Sequence, residues 1–170
     1  MKRGVHTIRS GFTESHNPTM PRRYSLDNGN FELNQQITAF EIFPIGTKQT
    51  ARDQLNSDPV FFIVSTDEAG AVPTTGSVSE QEYGAVLNLR PSDSRQIAWG
   101  IASPAYGYVY TLIDPDHIIP DDLYVNAYSI SSGGTIDQLA ANMGFMIKME
   151  QKKNSGSEAL LYQAKENALQ

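Results

Sequence analysis

The stretch Ile113–Asp122, IDPDHIIPDD, sets one histidine among four aspartates and two prolines. Asp114, Asp116 and His117 are residue types that hold a divalent cation or pass a proton. A calcium loop, however, requires a central glycine and a terminal glutamate, and a helical zinc pair requires His-x-x-x-His. Neither spacing is present. Pro115 and Pro120 fix φ and lack an N–H, and aspartates bond to nearby backbone amides, so the expectation is a rigid turn between two strands. His117 beside carboxylates is expected to hold its proton longer than usual.

Other reactive patterns are missing. There is no phosphate-binding Gly-x-x-x-x-Gly-Lys-Ser/Thr, no Gly-x-Gly-x-x-Gly and no Gly-x-Ser-x-Gly elbow. The glycines of SSGGT (131–135) lack a basic partner and read as a loop. Glu80 and Glu82 have the types for acid/base work but sit in a loop-like SEQEY, where carboxylates are commonly inert. The chain has 170 residues and no cysteine, so disulfides, thiolate nucleophiles and thiolate zinc sites are excluded. No enzyme, cofactor or metal site is expected.

The elements behind these residues alternate with a period of two. In RQIAWGI, Ile97, Trp99 and Ile101 share one face, which predicts a half-buried strand with Trp99 between sheets. In MGFMIKMEQ, Met143, Phe145, Ile147 and Met149 share another, and in DLYVNAYSI, Leu123, Val125 and Ala127 point inward. QITAFEIF (36–43) and PVFFIVST (59–66) are apolar on both faces, so they belong centrally in a sheet or beneath a neighbouring subunit. YGYVYTLI (106–113) and AVLNL (85–89) bring the strands to about seven. DNGN, DEAG and PSDS punctuate them as turns. The fold class is all-β, an antiparallel β-sandwich of jelly-roll type, with an extended N-terminal arm and a short C-terminal helix.

Helix is expected in two places. TIDQLAANM (135–143) suits a turn or two between strands, with Leu139 and Ala140 facing the body. Ser155 and Glu158 form a capping box ahead of ALLYQAKENALQ, which gives a helical tail over 153–170. The sandwich itself spans 31–152.

Residues 1–30 carry five basic groups against two acidic ones, and the remaining 140 carry eight against 17. This division predicts a poorly ordered basic arm that lies on an acidic neighbour through Ile8, Arg9, Phe12, Met20, Arg22, Arg23 and Tyr24. Nucleic acid is the less favoured partner for the same charges. His6 and His16, within the arm, are expected to do no catalysis. No apolar run approaches the roughly 20 residues that span a bilayer, and the start lacks a secretory pattern, so a chain made in the cytoplasm without membrane contact is expected.

Tyr106, Tyr108 and Tyr110 line one side of a strand, with Leu112 continuing the row. Tyrosine joins a large contact area to a polar tip, so the row is a packing ladder, a subunit interface or a sugar-stacking platform. NGNFELNQQITAFEIFP, SRQIAWG and IDPDHIIPDDLYVNAYS, in that order, resemble small structural proteins of marine bacteriophages and related viruses, from about Asn28 to Lys152. The resemblance is one of texture and segment order. It implies a β-sandwich component of a virion: a capsid, decoration or head-associated subunit that forms a homo-oligomer, a trimer or larger shell, and meets other virion proteins. The alternative is a receptor- or carbohydrate-binding module of a phage fibre or tail.

Overall fold

Alternating apolar residues become strands wherever one face can be buried, and strands make up most of the described residues. The computed structural model describes residues 5–26, 33–45, 59–73, 95–103, 108–130, 135–139 and 141–153, with Leu161 and Ala164. Among them are the strands β1 (Val5–Phe12), β2 (Arg22–Ser25), β3 (Leu33–Pro44), β4 (Val60–Ser65), β5 (Gln96–Ser103), β6 (Tyr108–Ile113), β7 (Asp122–Ile130), β8 (Ile136–Asp137) and β9 (Met143–Lys153). One helical turn, α1 (Glu68–Ala71), falls at the expected DEAG turn and is capped by the Asp67 carboxylate, which accepts from the Ala69 N–H.

All pairings are antiparallel and divide into two sheets, ordered β1-β9-β3 and β2-β7-β4-β5-β6, with β8 added to β7. First strand pairs with last, second with β7 and fourth with fifth, while β3 runs alongside β6. A long hairpin rolled on itself gives this nesting, and it is the jelly-roll order. The predicted fold class is therefore the observed one. The sheets enclose Phe12, Phe40, Phe62, Ile147, Phe145, Val125 and Met149, all buried in one cluster. Phe12, Phe62 and Phe145 meet with ring centroids 5.7–6.1 Å apart.

The expected alternations in β7 and β9 hold: Leu123, Val125, Ala127, Met143, Phe145, Ile147 and Met149 all face the core. PVFFIVST is central, as β4 between β5 and β7. QITAFEIF differs: β3 ends the three-stranded ladder, and its free edge is covered by the β6–β7 connection, where Gln35 and Ile119 exchange backbone bonds of 3.1 and 2.9 Å.

Three expectations are corrected. Within the stretch 1–30, residues 5–26 are not an arm outside the sandwich: residues 5–12 form β1 on β9, and residues 22–25 form β2 on β7. Both are strands ending their ladders, and a strand there needs few apolar residues, which is why they read as an arm. TIDQLAANM supplies β8 on β7 rather than a helix, though Leu139 is buried as expected. Trp99 lies on the outer face of its sheet: β5 turns Ala98, Gly100 and Ala102 inward, opposite Val64, Phe62 and Val60. Small residues are required there, because a Cβ on Gly100 would come within 3.0 Å of Ile42 and 3.3 Å of Phe40. A register shift at Val64/Ser65 lets Ile97 join the core as well. AVLNL, DNGN, PSDS and Glu80 and Glu82 lie outside the described residues, as does the C-terminal helix apart from Leu161 and Ala164.

Candidate interaction surface

The two outer faces of the sandwich differ in chemistry. On the β1-β9-β3 sheet, Arg9, Met146 and Glu41 form one cross-strand row, and Lys148 and Glu150 extend the same exposed face. Val5, Phe43 and Ile45 are exposed on it as well, so its charges are interspersed with apolar groups. On the other sheet, register sets Tyr128, Phe61, Ile101 and Tyr110 in one outer row, and Asn126, Ile63, Trp99 and Leu112 in the next.

These rows run from buried to open. Tyr128, Phe61 and Ile63 are fully buried, with Phe61 and Tyr128 stacked at 5.5 Å. Ile101 and Trp99 are half-buried. Tyr110 and Leu112, on β6, are 53% and 47% exposed. The Trp99 indole N–H donates to Gln96 Oε1 at 2.9 Å, and the Gln96 amide donates to the Gly70 carbonyl at 2.9 Å, which ties the indole to α1. The result is an apolar strip of Trp99, Ile101, Tyr110 and Leu112 in which the indole N–H is already engaged. Of the proposed tyrosine row, Tyr110 is on this strip. Tyr106 and the side chain of Tyr108 lie outside the described residues. Trp99 and Ile101 were missed as surface residues because alternation separates two faces without saying which is inside.

Of the residues expected to grip a neighbour, five make contacts within their own subunit. The Arg22 guanidinium donates to Ser10 Oγ at 2.6 Å and the Gly11 carbonyl at 2.8 Å, and lies 4.7 Å from the Phe12 ring centroid. It thereby joins β2 of one sheet to β1 of the other. Arg23 pairs with Asp122 at 2.7 Å across β2 and β7. Phe12 is core, while Ile8 and Tyr24 are partly buried against it. Arg9 and Met20 are exposed.

His16 is also built in. Asn126, fully buried, donates to the carbonyls of Pro18 at 2.7 Å and Ala71 at 2.9 Å, and its Oδ1 lies 2.8 Å from His16 Nε2. An amide oxygen only accepts, so this ring nitrogen carries the proton. Burial lowers the His16 pKa.

The IDPDHIIPDD stretch is a structural connection. Asp114 Oδ1 accepts from the Asp116 N–H at 3.0 Å, and the Asp114 N–H donates to the Ile97 carbonyl at 2.8 Å. His117 is 4% exposed; its Nδ1 meets the Asp114 carbonyl and its Nε2 accepts the Ile37 N–H at 2.8 Å. Both ring nitrogens are thus used by backbone. The expectation that His117 holds its proton longer is reversed, because burial outweighs the attraction of Asp114 and lowers its pKa. Among the described residues, no three His, Asp or Glu side chains gather as a metal would need, and no helix is long and apolar enough to cross a membrane.

No family model matches the chain, and neither does any curated protein. Among solved structures it is similar to Merkel cell polyomavirus VP1 in complex with GD1a oligosaccharide, with 8% identity and a TM-score of 0.46 over 89% of this chain and 96% of that one. It is also similar to the Merkel cell polyomavirus VP1 unassembled pentamer, with 9% identity and a TM-score of 0.48 over 91% and 97%. Neither likeness carries a functional conclusion.

Proposed function

We propose that the chain is a non-enzymatic structural subunit of a virion, made in the host cytoplasm, that acts by self-assembly of its jelly-roll sandwich into a trimer or larger shell. The observation that carries this reading is the apolar strip of Trp99, Ile101, Tyr110 and Leu112 on the outer face of its sheet, which opens on β6. Aromatic and apolar residues with few charges mark the centre of a subunit contact. Each large side chain fully buried there contributes roughly 1.5–3 kcal/mol. The ion pair of Arg23 with Asp122 within the subunit offsets one of the charges that favoured packaged nucleic acid.

Sedimentation over a concentration series tests self-assembly, with Leu112→Asp as the probe. Wild type should form a discrete oligomer, and the variant should dissociate at concentrations where wild type does not. A wild type that stays monomeric throughout overturns the reading. Antibody against the folded protein should label purified particles, and particles that take no label remove the virion assignment. The exposed ring of Tyr110 supports one alternative, a carbohydrate-binding module of a phage fibre or tail. In that case a glycan array gives hits that Tyr110→Ala abolishes.

A further inference from the structure

The connection between β6 and β7 touches both sheets and closes the side of the sandwich where β3 has no ladder partner. On the sheet of β5 it is held by the Asp114 N–H on the Ile97 carbonyl. On β3 it is held by the paired backbone bonds of Gln35 and Ile119, by the Gln36 side-chain amide on the Pro115 carbonyl at 2.9 Å, and by His117 on the Ile37 N–H. Gln35 and Ile37 are two apart, so both present their backbone groups to the same free edge of β3. Ile119 covers the first, and the imidazole covers the second.

The ring's proton has one permitted position. The Asp114 carbonyl can only accept, so Nδ1 carries the hydrogen; the Ile37 N–H can only donate, so Nε2 must keep its lone pair. A second proton would place Nε2–H against the Ile37 N–H, donor facing donor, inside a buried site. We propose that His117 is an acid-released latch: protonation of Nε2 breaks its bond to Ile37 and uncovers that position of the β3 edge, while Ile119 and Gln36 still hold the rest of the connection. The uncovered Ile37 N–H is an unpaired edge donor that another backbone can bind.

The charged groups facing the ring do not rescue its protonated form. Asp114 and Asp116 belong to its own connection, and Asp114 favours the proton. Lys152, at the end of β9, opposes it, and β3 brings only the neutral Gln35 and Gln36 to the contact. Burial is the largest influence and also disfavours the cation, so the latch stays closed near neutrality and opens only in acid.

The test is NMR on the intact chain with labelled histidine rings and backbone amides, titrated from pH 7.5 downward. The His117 ring should titrate below the ordinary imidazole value, and the Ile37 amide shift should move with the same midpoint. Hydrogen exchange at Ile37, corrected for its intrinsic pH dependence, should quicken by up to tenfold per pH unit across that window. His117→Gln keeps an acceptor near the Nε2 position but cannot titrate, so its Ile37 amide should show no such step. If that variant does not fold, the wild-type titration decides alone. An Ile37 amide that stays still while the His117 ring protonates overturns the proposal, as does a ring that titrates at the ordinary value.

Discussion

At the scale of single residues, β5 shows why the sequence identified a strand and mistook its inner face. Ile97, Trp99 and Ile101 look like the core side of RQIAWGI because they are large. The space over β5 is already filled by Phe40 and Ile42 from the facing sheet and by Phe62 from the neighbouring strand β4, so the inner side of β5 had to be small. Size at one position is meaningful only against its partners, and those come from distant parts of the chain. Gly100→Val should therefore cost about 1–3 kcal/mol by overpacking, read as a lower urea midpoint with unchanged m. Gly144→Ala should cost less: the atoms nearest a Cβ there are those of the Phe43 ring, which is 44% exposed and free to swing outward. Trp99→Ala should fall below the roughly 3–5 kcal/mol of a fully buried tryptophan. Native fluorescence that is blue-shifted and shielded from quencher would place Trp99 back inside.

At the scale of elements, the strands that the chain announces most clearly are those with a full apolar face. β4, β7 and β9 fill the core from several positions each, and their alternation was legible at once. β1 was not, because its inward side offers only Ile8 and Phe12 as large apolar groups, placed opposite Ile147 and Met143. β8 was not, because two residues carry no period. Two connections carry contacts that nothing local predicts: His117 reaches Ile37 and His16 reaches Asn126. These are long-range pairings, and only their residue types were visible. The position of β1 reverses what truncation should do. Deleting residues 1–26 removes one of the two ladder partners of β9, the buried Phe12 and the Arg22 link between sheets. The truncated chain should lose cooperative unfolding and should not survive as a folded sandwich that merely fails to assemble. A sharp urea transition in that truncation would restore the independent arm.

At the scale of the whole molecule, the buried titratable groups set the pH range of the fold. His16 and His117 both have pKa values lowered by burial, so the unfolded chain binds more protons than the native one once the pH falls below about 6.5. Their contribution is complete above that pH and is lost progressively as the pH drops toward the depressed native values. Tyr128 acts at the other end. Burial between Phe61 and its neighbours raises its hydroxyl pKa, so its contribution is complete below about pH 10 and is lost as the unfolded chain ionises above it. Stability should therefore form a plateau through neutral and mildly alkaline pH, with different residues behind the fall on each side. Urea midpoints measured from pH 5 to 11 should decline between pH 7 and 5, and again above 10. His117→Gln should flatten part of the acid decline and leave the alkaline one. Tyr128→Phe, which keeps the stack on Phe61, should do the reverse. A midpoint that rises as the pH falls from 7 to 5 would mean that the two histidines are stabilised as cations, against the acceptor role of His117 toward Ile37.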